Sequence, residues 1–440
     1  MIMNKYFREI NKIKYNQKSK PGSLDYKFYD SKRMVLGKTM AEHLRIAVCY
    51  WHNFCWDGND AFGGATRNTP WKSGDLMQQS YNKADAIFEF VSKLDVPYFT
   101  FHDTDVASEG NNLKEFINNF QKIIGYFEEK MSETNIQLLW GTANLFSNAR
   151  YQAGAATNPN PDVFAYAATQ VKYALEATHK LHGHNYVLWG GREGYDTLLN
   201  TDLKREKENF ARFLSLVVEH KHKIGFKGQL LIEPKPCEPT KHQYDHDTET
   251  VFGFLQKHGL EKEFKVNIEA NHATLAGHSF EHEIESACAL DFLGSIDANR
   301  GDPQNGWDTD QFPNSIEEMS LVIYRLLNSG GFTTGGFNFD SKVRRQSINL
   351  EDMFYGHIGG IDVLAKSLLK AEEMINDGSL NLLTNNRYSK WNEGIGLELS
   401  KNKHSLDSLT EYSKSIPSPS PASGEQERFE NIATSIIHGI

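Results

Sequence analysis

The chain lacks any apolar run approaching the roughly 18 residues that a membrane-spanning helix needs. Its first residues, Met1 to Pro21, mix Lys, Arg, Asn and Gln where a secretory leader would carry an apolar stretch. A helical membrane span is therefore excluded, and a cytoplasmic location is expected. Cysteine is scarce: Cys49, Cys55, Cys237 and Cys288 lie far apart without a Cys-x-x-Cys pair. That spacing fits reduced thiols with structural roles, in a reducing compartment, better than a disulfide framework or a zinc ribbon. There is also no concentrated run of Lys and Arg, and the formal net charge is -10. Binding to nucleic acid needs a positive surface that displaces counterions from phosphates, so no nucleic-acid partner is expected.

What the chain does have is acidic residues in places where a carboxylate is normally a liability. Gln229-Leu-Leu-Ile-Glu233, Phe264-Lys-Val-Asn-Ile-Glu269, Leu293-Gly-Ser-Ile-Asp297 and Gly336-Phe-Asn-Phe-Asp340 are each a short apolar run that ends on an acid. Arg45 to Trp51, Tyr98 to His102, Ile136 to Trp140 and Tyr186 to Trp189 follow the same grammar and end on an aromatic residue or His. Together they make eight candidate strands. Amphipathic stretches of helical length lie between most of them, among them Leu113 to Met131, Asp162 to His182, Leu203 to His222, Thr248 to His258, Ser279 to Ala289 and Ser315 to Leu327.

Strands alternating with helices imply a parallel sheet, and eight of them imply a (β/α)8 barrel, a TIM barrel of the α/β class. Such a barrel takes about 250 residues, and 440 residues leave 100 or more for extensions. The expected division is an N-terminal extension over 1-43, the catalytic barrel over 44-378 and a C-terminal helical arm over 379-440. The extension is polar and irregular, ends in a short helical stretch around Met40 to Leu44, and is expected to pack across the barrel. Gly359 to Asp377 reads as the last barrel helix and Glu425 to Ile437 as the arm. Ser413 to Gly424, rich in Ser and Pro, reads as an extended strap between helices.

In this architecture active sites form where strands end, which is where the acids stand. So much negative charge shares one mouth only if divalent cations neutralise it. Glu269 and His272 are at i and i+3 just past a strand, where both can reach one ion. Asp308 and Asp310 in an extended segment point the same way. Oxygen-rich ligation selects hard cations such as Mg²⁺ or Mn²⁺, and the single imidazole shifts one site toward Mn²⁺ or Co²⁺.

Three further units carry chemistry. Glu233-Pro-Lys235 puts a lysine on the same strand face as an acid, where an ammonium can hold a substrate oxygen. His102-Asp-Thr-Asp105 is a proton-transfer device in which a carboxylate fixes one imidazole nitrogen; spacing alone leaves Asp103 and Asp105 both open as the partner. Trp51, Trp140 and Trp189 close their strands on one face and form an apolar wall against water.

Phe99-Thr-Phe-His-Asp-Thr-Asp105, Leu188-Trp-Gly-Gly-Arg-Glu-Gly-Tyr195, Ile232-Glu-Pro-Lys-Pro236, Asn267-Ile-Glu-Ala-Asn-His272 and Gly306-Trp-Asp-Thr-Asp310 occur in that order. With them the chain resembles the xylose isomerases, in particular their longer-chain class with an N-terminal extension, over about residues 40 to 410. The resemblance implies a barrel that interconverts D-xylose and D-xylulose, and D-glucose and D-fructose, with two divalent cations per subunit (Mg²⁺, Mn²⁺ or Co²⁺). Carried over by motif, Glu233, Glu269, Asp297 and Asp340 would hold one cation and Glu269, His272, Asp308 and Asp310 the other. His102, oriented by Asp105, would assist ring opening. Lys235 would hydrogen-bond the carbonyl oxygen while hydrogen passes between C2 and C1. Gly58-Asn-Asp-Ala-Phe-Gly63 resembles the loop whose phenylalanine, here Phe62, enters a neighbouring subunit's site, and a homotetramer is implied. Six carboxylates against two divalent ions and one lysine leave the site near neutrality, as an uncharged sugar requires. A metal-dependent hydrolase of the same fold, or a sugar-binding protein without turnover, would account less well for Lys235 and His102 beside the acids.

Overall fold

The computed structural model describes residues 5-440. Eight parallel strands close into a barrel in chain order: β1 (Ala47–Cys49), β2 (Tyr98–His102), β3 (Gln137–Thr142), β4 (Asn185–Trp189), β5 (Gln229–Glu233), β6 (Phe264–Glu269), β7 (Leu293–Asp297) and β8 (Phe337–Phe339). The barrel shuts where Asn338 pairs with Ala47 and Phe339 with Val48. The outer helices are α1 (Leu76–Leu94), α2 (Leu113–Thr134), α3 (Pro161–Lys180), α4 (Leu203–Ile224), α5 (Thr248–His258), α6 (Phe280–Ala289), α7 (Ile316–Asn328) and α8 (Leu350–Asp377). A short helix, Ala270–Leu275, sits between β6 and α6.

Local chemistry marks the helix ends. Asp75, Asn112, Asp202 and Asp247 each accept the backbone N–H three residues on, at the starts of α1, α2, α4 and α5. Gly225 and Gly259 end α4 and α5 in the left-handed conformation that favours glycine. Between helices and sheet lies an apolar layer rich in phenylalanine, including Phe90, Phe99 and Phe127. Inside the barrel a smaller apolar plug of Ala47, Tyr98, Leu139, Trp140, Val187 and Leu231 fills the axis. Buried polar residues sit there too: the Thr100 hydroxyl donates to Asn338 at 2.7 Å, and Asn338 Nδ2 donates to Asp297 at 2.9 Å. This chain of donors ends on a carboxylate at the mouth.

The N-terminal segment crosses α1 and α8. Glu89 accepts the backbone N–H groups of Lys5, Tyr6 and Phe7, and Asp362 those of Lys27, Phe28 and Tyr29. Phe7, Ile10, Ile13, Tyr26 and Tyr29 are buried beneath it.

Three element boundaries differ from the sequence reading. Helix α8 begins at Leu350 rather than Gly359, with Asn349 and Asp352 forming a capping box. Glycines at 356, 359 and 360 disguise the helix, and two of them are there for packing: a Cβ on Gly356 would strike Phe312 and one on Gly360 would strike Phe339. The first strand is only Ala47–Cys49, so Trp51 opens a helical turn, Trp51–Cys55, instead of ending a strand. Trp140 is interior to β3, which runs on to Thr142. At the C-terminal end, helices Ser379–Tyr388, Gly394–Ser400 and Leu406–Ser415 precede the irregular Ser/Pro segment, and a helix over Gln426–His438 follows it. That last helix lies back on α8, where Lys370 Nζ donates to the Ile436 carbonyl at 2.8 Å. Among the described residues no helix is long and apolar enough to cross a membrane, and all four cysteines are free.

Candidate active site

The C-terminal ends of the strands open into a cavity of about 190 Å³. Glu233, Glu269 and Asp297 are the last residues of β5, β6 and β7, and Asp340 follows β8. Residues two apart on a strand share a face, so Glu269, Asp297 and Asp340 stand above the polar residues Asn267, Ser295 and Asn338, whereas Glu233 stands above the apolar Leu231. Asn267 Nδ2 donates to Glu233 at 3.0 Å, and Asn338 donates to Asp297. Asn299, past β7, donates to Glu269 at 2.7 Å. These amides fix one oxygen each of Glu233, Glu269 and Asp297 and leave the other free to face its neighbours.

Oxygens of Glu233, Glu269, Asp297 and Asp340 all lie within 4.8 Å of one another, and so do oxygens of Glu269, Asp308 and Asp310. His272 Nε2 is 3.0 Å from Glu269 and 3.2 Å from Asp308. Glu269 thus belongs to both groups. Asp308 and Asp310 reach this geometry by a different route from the extended segment expected, because Asp310 has a left-handed backbone at φ 43. Asp308 turns to Lys235, at 2.8 Å, and Asp310 to Lys342, at 2.6 Å.

Electrostatics divides the cluster. Burial, reinforced by neighbouring carboxylates, pushes Glu233, Glu269 and Asp297 well above the ordinary carboxylate range, and pushes Asp310 up to about 7. Burial acts on Asp308 and Asp340 too, but is outweighed by Lys235 and His272 at the first and by His52 and Trp51 at the second, so both are lowered. Burial, then Lys235, lowers His272 and keeps its imidazole neutral, the form that binds metal. Asp297 Oδ2 and His272 Nδ1 are buried with no hydrogen-bond partner. A buried carboxylate oxygen without a donor, carboxylates that would otherwise take up protons and a neutral imidazole all fit divalent cations.

His102 lines the cavity with Nδ1 3.0 Å from Asp105, which settles which aspartate faces it. Asp103 points away: it accepts from the Thr104 and Asn144 backbones and from Gln170 Nε2, each at 2.8 Å. Burial raises its carboxyl to about 7. Trp51 packs on His102 with ring centres 4.4 Å apart and on Trp140 at 5.5 Å. Its Nε1 also donates to Asp340 at 2.9 Å, so this tryptophan anchors a carboxylate as well as forming wall. Trp189 stacks parallel to His272 at 6.4 Å and lies 5.2 Å from the Lys235 ammonium. Lys235 is buried, yet Asp308, Glu238 and Glu269 outweigh that burial and hold its pKa up. Phe62 stands apart, 90% exposed and outside its own chain's cavity, on a loop that Arg345 clamps through the Gly58, Gly63 and Gly64 carbonyls.

Sequence reading passed over His52, Lys342 and Glu238. His52 Nε2 is 2.8 Å from Asp340 and 3.3 Å from Asp310, bridging the two groups. Lys342 is two residues beyond Asp340, the same spacing that singled out Lys235 beyond Glu233, so the signal was present. Glu238 accepts from Lys235 at 3.1 Å and from the Asp308 backbone at 3.0 Å; its position in a loop offered no period to read.

Residues 384–437 match the family model described as the XylA2 C-terminal domain. The chain is 60% identical to the xylose isomerase of Haemophilus influenzae (strain PittGG) over 438 residues, 99% of this chain and 100% of that one. It is 59% identical to the xylose isomerase of Photobacterium profundum over the same coverage. Among solved structures, an L-ribulose 3-epimerase aligns with a TM-score of 0.51 at 11% identity, covering 76% of this chain and 98% of that chain, a likeness of fold.

Proposed function

This chain belongs to the xylose isomerase family, and from that premise we propose that its mouth interconverts D-xylose and D-xylulose, and D-glucose and D-fructose, as an aldose-ketose isomerase. The observation that carries the reading is the pair of carboxylate groups sharing Glu269 beside Lys235 and the His102–Asp105 pair.

Glu233, Glu269, Asp297 and Asp340 would hold one divalent cation, and Glu269, His272, Asp308 and Asp310 a second; Mg²⁺, Mn²⁺ and Co²⁺ suit the oxygen-rich donor set. When bound, such ions supply Lewis-acid polarisation of the open-chain sugar's O1 and O2, the condition for hydrogen to shift between C2 and C1. The protein's residues do the rest. Asp105 accepts a hydrogen bond from the Nδ1–H of His102, so Nε2 faces the cyclic sugar as the acceptor that moves a hydroxyl proton during ring opening. Lys235, kept charged by Asp308, donates to the carbonyl oxygen and stabilises the charge that builds there. Trp51, Trp140 and Trp189 exclude water and pack on the sugar's carbon face. Phe62, exposed on its own chain, completes a neighbouring subunit's wall in a homotetramer acting on sugar in the cytoplasm.

The test is formation of xylulose from D-xylose by chelator-treated protein before and after restoring Mg²⁺, Mn²⁺ or Co²⁺. Turnover only after restoration supports the reading. Folded protein that makes no xylulose with any of the three refutes it.

A further inference from the structure

Away from the mouth, His278, His282 and Glu283 bring two imidazoles and a carboxylate together where α6 starts. One ligand-type atom from each lies within 4.8 Å of the other two. The two imidazole rings are neighbours, with centres 4.7 Å apart and planes tilted by 34°. His278 Nε2 also meets two carboxylates, Asp247 Oδ2 at 3.5 Å and Glu283 Oε1 at 3.6 Å. Those distances are long for N–H···O bonds of about 2.7–3.2 Å. They match instead the separation of roughly 3.4 Å between two donors on a tetrahedral ion with bonds of ~2.0–2.1 Å.

Glu283 is held in place for this. It is 4% exposed, and its Oε2 accepts the Thr248 backbone N–H at 3.1 Å and the Thr248 hydroxyl at 2.8 Å, which leaves Oε1 facing His278. Such a fixed carboxylate is what an outer hydrogen bond does for a metal ligand. His278 is fixed as well, its backbone N–H donating to the Ala273 carbonyl at 3.0 Å. The more exposed His282 can rotate to complete the set, and solvent reaches the cluster from its side. The partial positive charge of the first turn of α6 opposes a cation there, and Glu283 and Asp247 together offset it.

We propose that His278, His282 and Glu283, with Asp247 alongside, form a separate site for a borderline divalent cation such as Zn²⁺ or Ni²⁺. Two nitrogens and one or two oxygens select that class over Mg²⁺, in contrast with the oxygen-rich mouth. The site ties the start of α5 to that of α6 and to the loop after Ala270–Leu275, the helix that carries His272. Its role is to stiffen that connection, and it stands whether or not the mouth isomerises xylose.

The test is equilibrium dialysis of the full chain against Zn²⁺ in a large excess of Mg²⁺, with bound zinc counted per chain. His282→Gln and the pair His278→Ala with His282→Ala are compared with the unaltered protein. The proposal expects one zinc equivalent fewer in both variants and unchanged Mg²⁺-dependent turnover. Because His282 is exposed, its single variant decides the matter if the double variant does not fold. Equal zinc content in the unaltered protein and His282→Gln, whether one equivalent or none, would overturn the site.

Discussion

Lys235 Nζ lies 2.8 Å from Asp308 Oδ2, so the one buried lysine of the mouth is paired with a residue that also faces His272 and shares a carboxylate group with Glu269 and Asp310. Replacing it separates two effects. On the proposed mechanism Lys235→Met removes a donor to the reacting oxygen and should lower kcat by about 100-fold or more. It also removes a positive charge beside Asp308, so the protein should bind Mg²⁺ at least as tightly as before. Steady-state kinetics paired with Mg²⁺ titration checks this; unchanged kcat would make the lysine a structural bridge.

His102 and Asp105 should act as a unit. His102→Asn is expected to slow turnover of cyclic xylose by about 100-fold while leaving Mg²⁺ affinity close to that of the unaltered protein. Comparing rates on freshly dissolved α-anomer with metal titrations checks it, and a matching loss of metal binding would contradict the assignment.

Asp103 should behave differently although it adjoins His102. It takes three N–H donors away from the cavity, and Asp103→Asn turns an amide N–H₂ toward one of them, at an expected cost of about 1–3 kcal/mol in stability. The sign of its pH dependence follows from a carboxyl raised to about 7: the native state holds a proton that the unfolded chain releases near pH 4. Its contribution is present at low pH and is lost as pH rises through about 7. In Mg²⁺-saturated protein, thermal unfolding should therefore fall less between pH 4 and 7 in Asp103→Asn than in the unaltered chain. Identical slopes would mean the carboxylate is ionised throughout.

Much of this site could be read before any coordinates, because an acid that ends an apolar strand breaks the ordinary pattern. Glu233, Glu269, Asp297 and Asp340 announced themselves that way, and the strand count gave the barrel. The supporting amides did not: Asn267 and Asn338 are ordinary strand residues until the closed barrel turns them toward Glu233 and Asp297. His52 was hidden because the chain leaves β1 early and winds into a turn, which carries both Trp51 and His52 to the mouth. Within the C-terminal arm, read as helical with a helix near Glu425 to Ile437, the separate helices between Ser379 and Ser415 were not marked out. Ser379–Tyr388 buries only Leu380 and has no apolar stripe, and Leu406–Ser415, though Leu406, Leu409 and Tyr412 fall at helical spacing, buries nothing within this chain.

Phe62 gives a prediction about assembly. Since it is exposed on its own chain, Phe62→Ala should change the stability of the fold by less than about 0.5 kcal/mol and still lower kcat/KM. Mixed with His102→Asn subunits, it should regain activity, because a hybrid assembly holds sites with an intact His102 and a neighbour's intact Phe62. No recovery after subunit exchange would place Phe62 outside the site.

Glu269 is the residue on which the two carboxylate groups meet, and counting cations tests that relationship directly. Isothermal titration of chelated protein with Mn²⁺ should give two equivalents bound at the mouth per chain, and Glu269→Gln should weaken both together and abolish turnover. One equivalent in the unaltered protein, or a variant that loses a single cation and keeps the other at full affinity, would contradict a site built around a shared Glu269.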